Sequence, residues 1–415
     1  MVTMDFDNIA SAADNKWVTD GLDVVKLQFV RNIDELESLS EYEPEYVHQH
    51  FGESEKIFGY KDLKVTIFYA EMTLHCFPVI NYSSDISSID NNVKKDDILG
   101  KLRAQLPEEQ MSAMVDSKEE FRAILSKQDS FLPFGELISK FTKVEETFEM
   151  FLVENSSRDF DAFLARVQTL SLWYIDACGY TDNSDPKWMH YFVYASRPRQ
   201  DGAKGSLYRL AGYCSFYRFY AYPEHQRPRL AQILVLPQFR RSGFGASFLK
   251  RIYDDLRIRR SVIDITVEDP ADNCIFLRDY VDCTNCSSLP SFSKEKLMLG
   301  FSPEMCKAAK DAFKINKRQC RRVYEILRLR STERKDEKAM KEYRIDVKRR
   351  LEIPLRRNER DWKKLNAALN PNELSTIAAN QNDDAKRLQL SQLFEAETEA
   401  YFKVIERMQI FPTIL

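Results

Sequence analysis

Across residues 229–270 the spacing of apolar side chains changes three times. Residues 230–236 form an apolar run broken by Pro237, which predicts a strand. Beyond Gly243 and Gly245, Phe248, Leu249, Ile252 and Leu256 recur at helical spacing and predict a one-faced amphipathic helix. Ile263, Ile265 and Val267 then alternate with Asp264, Thr266 and Glu268, so a second strand is expected to turn the apolar set one way and the carboxylates the other. Strand, glycine turn, helix and strand make a βαβ unit.

Similar patterns organise the rest. Residues 63–69 and 74–81 are apolar and β-branched, as paired strands joined by a short turn would be. Ser117 and Glu120 form a capping box before Phe121, Ile124 and Leu125. Phe160, Phe163, Leu164, Val167, Leu170 and Leu172 predict a helix over 159–179, with Trp173 and Tyr174 extending its face and Asp176 near its end. An acidic loop with Asp182 and Asp185 leads to Trp188 and a strand over 191–195. Residues 207–222 are dense in aromatics, including Tyr217, Phe219 and Tyr220. They read as core, or, if alternation exposes half of them, as a surface. Past residue 300 the pattern is helical: Val323, Ile326 and Leu327 mark one helix, and Leu390, Phe394, Tyr401, Val404, Ile405 and Met408 another. Three regions follow: a mixed α/β domain over 1–128, a second over 129–300, and a charged helical region over 301–415.

Composition narrows the class. At 415 residues and 44% hydrophobic content the chain can build more than one core. A net charge of −3 argues against nucleic acid as the main partner. No apolar run reaches 18 residues and the start is polar, so a soluble intracellular chain is expected. Eight scattered cysteines suit a reducing compartment, and the lone Cys283-x-x-Cys286 reads as free thiols ahead of a metal site. Arg321, Arg322, Lys348, Arg349, Arg350, Arg356 and Arg357 form basic clusters, open to reading as a nuclear address, a nucleic-acid patch or solvated faces.

Candidate chemistry centres on the glycine turn. Glycines at a helix start let backbone N–H groups approach an anion, and the helix dipole favours negative charge there. Arg240 and Arg241 precede the glycines, where their side chains either reach phosphate oxygens or stay in solvent. Neither a Walker loop nor G-x-G-x-x-G is present, which leaves R-x-x-G-x-G and two readings, an anion site or a simple helix cap.

That turn resembles the acetyl-CoA-binding motif of the GNAT acyltransferases, Q/R-x-x-G-x-G/A between a strand and a helix. DITVEDP at 264–270, LRDYV at 277–281, FGYK at 58–61 and FKINKRQCRRVYEILRL at 313–329 look like the catalytic subunit of type B histone acetyltransferases. The resemblance implies an α+β GNAT acyltransferase fold, a mixed central sheet flanked by helices, with an N-terminal α/β domain and a helical C-terminal region. It implies an enzyme that moves acetyl from acetyl-CoA to lysines of the histone H4 N-terminal tail, needs no metal, works beside a WD40 histone chaperone, and resides in nucleus and cytoplasm.

Site residues follow by position. Acetyl-CoA contacts fall on Ile233, Leu234, Val235, Arg240, Arg241, Ser242, Gly243, Phe244, Gly245, Ala246 and Asn273. Glu268 matches the general base, with Asp269 as its acidic partner and Asp176 at a further carboxylate position where the family uses glutamate. A neighbouring carboxylate and partial burial would each raise a glutamate's pKa toward that task, although a strand-end carboxylate in solvent is the plain reading. Glu53, Ser54 and Glu55 match a histone-tail contact, and on sequence alone they read as a solvated loop. Trp188, Tyr217, Arg218 and Phe219 complete the peptide side, because rings beside carboxylates suit a lysine stem and its charge. Arg241 and Ser242 depart from the family's Q-G-Q-G-x-G, which bears on CoA affinity. The alternatives are a non-catalytic CoA- or histone-binding module, and a GNAT enzyme for another amine.

Overall fold

The computed structural model describes residues 14–36, 40–199, 205–355 and 383–414, together with 364, 367–370 and 373. Arg356 and Arg357 of the basic clusters lie outside the described residues. The chain is mixed α/β with a helical C-terminal region. It divides into two compact units, Met1–Phe219 with Pro228–Phe248, and Tyr220–Arg227 with Leu249–Leu415.

In the first unit, strands β1 (Val25–Val30), β2 (Lys64–Ala70) and β3 (Cys76–Asn81) form a sheet in that order, parallel between β1 and β2 and antiparallel between β2 and β3. The expected strand pair at 63–81 is therefore present. Helix α1 (Lys118–Leu125) buries Phe121 and Leu125 against Val30, Phe68 and Ala70. Ser117 caps it as the sequence predicts, accepting from the Glu120 amide at 3.2 Å. The Glu120 carboxylate takes the Asp116 amide at 3.3 Å, one residue short of a full capping box.

A larger sheet carries β4 (Glu136–Lys143), β5 (Glu146–Val153), β6 (Trp188–Pro198), β7 (Ser206–Ala221) and β8 (His225–Val235) as successive neighbours. Helix α2 (Arg158–Ser171) lies between β5 and β6 in sequence. Its Phe160 and Phe163 rings meet Phe192 of β6 at 5.9 and 5.5 Å. The next residue, Val193, points to the opposite face. There a Cβ on Gly212 would meet Val193 at 3.1 Å, Phe248 at 3.3 Å and the Leu234 carbonyl at 3.0 Å. Phe248, in helix α3 (Phe244–Ile258), thus lies on the face that α2 does not cover. The predicted stripe of Phe248, Leu249, Ile252 and Leu256 is buried throughout.

Two expectations for this unit need correction. Helix α2 stops at Ser171, well before residue 179, because the chain tightens into i→i+3 bonds from Trp173 to Leu170 and from Tyr174 to Ser171. Ala177 then takes φ 50°, which places Asp176 in a turn. Alternation does not divide the aromatics of β7 either. Residues 210–216 are buried on both faces, and exposure begins only where the strand runs out at Phe219 and Tyr220.

The second unit is helical. Helices α4 (Asp272–Cys286), α5 (Lys317–Ser331), α6 (Glu337–Glu352) and α7 (Asp383–Ile410) surround a buried ionic core. Glu325 is fully buried and accepts from Arg321 at 2.7 Å, Arg350 at 2.8 and 2.9 Å, and Tyr401 at 2.9 Å. Arg322 pairs with Asp279 and Glu397 at 2.5 and 2.6 Å. Three arginines of the basic clusters, Arg321, Arg322 and Arg350, are thus half-buried and engaged in neutralising carboxylates of the unit rather than forming a freely solvated face. Cys283 and Cys286 are free, and burial pushes both thiols well up.

The alternation expected over residues 263–268 does not hold. Only Thr266–Val267 is strand. Asp264 is buried, held by Arg227 at 2.5 and 2.9 Å, and this bidentate pair removes the cost of placing a lone carboxylate inside.

Candidate active site

The turn after β8 is built from backbone first. Pro237 fixes the start of a short 3-10 turn, Pro237–Phe239, and the Ser242 hydroxyl donates to the Phe239 carbonyl at 3.0 Å. Two residues then adopt left-handed conformations, Arg241 at φ 65° and Gly243 at φ 77°, and α3 begins at Phe244. The first N–H groups of a helix have no intrahelical acceptor, so they face outward past the turn. Phe244 is buried against Phe148, with ring centroids 4.6 Å apart, and Ala246 is buried too. Neither of these two predicted contact residues offers a side chain to a ligand; what they offer is main chain. On β8, Leu234 is buried while Ile233 and Val235 are half-buried on the other face.

Arg240 is held by partners within its own unit. Its Nε donates to the Val235 carbonyl at 2.8 Å, its guanidinium lies 4.5 Å from the centre of the Tyr174 ring, and it pairs with Glu45. A phosphate reaching Arg240 must compete with that carboxylate.

Arg241 stands where the resemblance expects glycine, in a conformation that glycine favours. An L-residue there costs about 1 kcal/mol. Arg241→Gly is therefore expected to raise unfolding stability by about 0.5–1 kcal/mol, read by urea denaturation. Arg241→Ala keeps the Cβ and is expected to gain nothing; an equal gain from both variants would refute the backbone explanation.

Two groups of predicted peptide-side residues come together in the first unit. Trp188 lies opposite Tyr217 on neighbouring strands, with rings 5.1 Å apart, and Tyr217 meets Phe219 at 4.7 Å. The Tyr217 hydroxyl donates to Asp185 at 2.6 Å, which holds that carboxyl below its ordinary range. Arg218 turns away from solvent to pair with Glu154 at 2.9 Å.

The second group is acidic. Glu53 and Ser54 are exposed in a turn, and Glu55 follows at φ 55°, half-buried. Sequence reasoning missed the residue that joins this turn to Asp176. His48 places Nε2 3.2 Å from Asp176 and Nδ1 3.7 Å from Glu55. Only an H-x-H pair, His48 and His50, marked the place, and its two rings differ: His50 is stacked on Trp173 at 3.7 Å and pushed down to about 3 by burial.

Glu268, Asp269 and Asn273 belong to the second unit, and all three are exposed. The partial burial expected of Glu268 is absent. The segment before it is well anchored, since the Ile265 amide donates to the Lys314 carbonyl at 2.9 Å. The Ile265 carbonyl accepts from both Arg278 and Asn316 at 3.0 Å. Asn273 lies in the first turn of α4. The Tyr280 hydroxyl donates to the Phe411 carbonyl at 2.8 Å, so that ring serves packing. Among the described residues, no three His, Cys, Asp or Glu side chains form a metal-binding group.

Comparison with known proteins bears on both units. Residues 17–176 match the family described as Histone acetyl transferase HAT1 N-terminus, and residues 278–329 match Histone acetyltransferase type B catalytic subunit, C-terminal. Over 391 residues the chain is 36% identical to the histone acetyltransferase type B catalytic subunit of Mus musculus and 35% identical to that of Homo sapiens, covering 92% of each chain. The Arabidopsis thaliana protein of the same name is 27% identical over 336 residues, which is 73% of this chain and 70% of that one.

Proposed function

The chain belongs to the family of histone acetyltransferase type B catalytic subunits, and from that membership we propose that it acetylates lysines in the N-terminal tail of free, newly synthesised histone H4. As a member of that family it is an acetyl-CoA-dependent histone acetyltransferase. The observation that carries the finer reading is the backbone of residues 240–245. Two left-handed residues, Arg241 and Gly243, lead into a helix from the 3-10 turn that follows a strand, a backbone suited to an anion held by main-chain N–H groups. The pyrophosphate of acetyl-CoA suits that cradle, and this reading makes β8, the turn and α3 the cofactor arm of a GNAT fold. Asn273 adds a further contact. In this reading residues 1–128 form an N-terminal mixed α/β domain with histone-tail contacts, 129–300 the acetyltransferase domain, and 301–415 a charged helical C-terminal region.

A lysine amine has a pKa of about 10.4 and arrives protonated at neutral pH. Glu268, with Asp269 beside it, takes that proton directly or through water. The freed amine forms a bond to the thioester carbon while the bond to sulfur breaks; CoA leaves as its thiolate, and the second proton of the attacking nitrogen passes to solvent. A backbone N–H near Leu234 or Val235 stabilises the oxyanion in between. Trp188, Tyr217 and Phe219 suit a lysine stem, while Glu53, Glu55 and Asp176 suit its charge. A WD40 histone chaperone partner and residence in nucleus and cytoplasm belong to the same proposal.

The test is acetyl transfer from labelled acetyl-CoA to an unmodified H4 tail peptide, with spermidine and a bulk basic peptide alongside. Strong preference for the H4 peptide is the expected result. Equal transfer to spermidine would make the protein a broader amine acetyltransferase. No transfer to any acceptor, with acetyl-CoA still bound, would make it a module without catalysis.

A further inference from the structure

Segment 45–50 docks on the turn that ends α2. The Glu45 and Tyr46 amides both donate to the Trp173 carbonyl, at 2.8 and 3.1 Å, and the Gln49 side chain donates to the Cys178 carbonyl at 2.9 Å. The His50 ring stacks on Trp173. These contacts hold the segment whatever residue 48 is. His48 itself does something else. It is mostly buried and stands between Glu55 and Asp176, at 3.7 and 3.2 Å, and Asp176 is the exposed member of the three.

An imidazole N–H donates to a carboxylate oxygen within hydrogen-bond reach. At 3.2 Å the Asp176 side is within hydrogen-bond range, while Glu55 at 3.7 Å lies beyond it. We infer that His48 is a positioning residue for the peptide side of the reaction, fixing the Asp176 carboxylate beside the Glu53–Glu55 turn so that together they present one acidic wall to a basic tail. This rests on the reading that the face takes the histone tail. Without the ring, Asp176 swings free on its exposed turn, and the field that draws lysine and arginine side chains is spread over more conformations.

Full-length His48→Ala is expected to raise KM for the H4 tail peptide about five- to tenfold, the size of one lost hydrogen bond to a carboxylate. KM for acetyl-CoA, kcat and the unfolding midpoint are expected to stay within twofold or unmoved. His48→Gln, which keeps a donor for Asp176, is expected to recover most of the loss. In an Asp176→Asn background, His48→Ala is expected to add little, since the ring acts through that carboxylate. An unchanged peptide KM in an otherwise active enzyme would overturn the role of His48 and leave the H4 reading standing. A KM rise of equal size in the Asp176→Asn background would overturn it as well. A wild type that transfers nothing to the tail would overturn both.

Discussion

Glu268→Gln is expected to lower acetyl transfer to the H4 tail about 10²- to 10⁴-fold, with acetyl-CoA affinity unchanged. Glutamine keeps the volume and the hydrogen-bonding reach of the side chain but has no basic site for a lysine proton. Glu268 is exposed, and the residues ahead of it are pinned by the three main-chain contacts of Ile265, so the substitution leaves the fold intact. A loss of rate therefore reports on chemistry. Single-turnover measurement at saturating acetyl-CoA isolates that step, and raising pH should restore part of the rate by deprotonating the lysine without help. Asp269→Asn is expected to cost less, because asparagine tolerates the backbone at φ 24° and only a neighbouring charge is removed. A Glu268→Gln enzyme as fast as wild type at saturating substrates would remove Glu268 from the role.

Glu325→Ala is expected to cost about 3–5 kcal/mol of unfolding stability, because it leaves Arg321 and Arg350 without their shared carboxylate and the Tyr401 hydroxyl without its acceptor. Removing one member of a buried ionic cluster costs far more than the cluster contributes relative to apolar residues, since the surviving charges stay desolvated. Urea denaturation followed by far-UV circular dichroism reads the effect on the helical unit. Arg349→Ala, an exposed neighbour on α6, is the control and is expected to stay within about 0.5 kcal/mol. A Glu325→Ala change below about 1 kcal/mol would mean that the network relaxes into water.

Legibility depended on the range of each interaction. The stripe on α3, the strand pair at 63–81 and the glycine turn were readable, because helical and strand periods are properties of neighbouring residues. The Asp264 carboxylate was expected outside, and it lies inside because Arg227, 37 residues earlier, reaches it. Arg240 reads in sequence as a phosphate or solvent residue, and its partner Glu45 lies 195 residues away, out of reach of any local pattern. The same blindness hid the ionic core, where Glu325 meets partners 25 and 76 residues further on. His48 was invisible for a related reason: a single histidine carries no period, and only the turn that ends α2 early brings Asp176 to it.

The ionic core also sets an order on biosynthesis. Every residue of the first unit has been made once Phe248 leaves the ribosome. Arg321, Arg322, Glu325 and Arg350 emerge next, but Glu397, which pairs with Arg322 and Arg350, and Tyr401, whose hydroxyl donates to Glu325, come last. Until then the nascent helical unit holds charges that cannot be buried without their partners. A chain released before residue 397 presents a finished first unit joined to an unfinished second one, and it is the second that chaperones and proteases would engage.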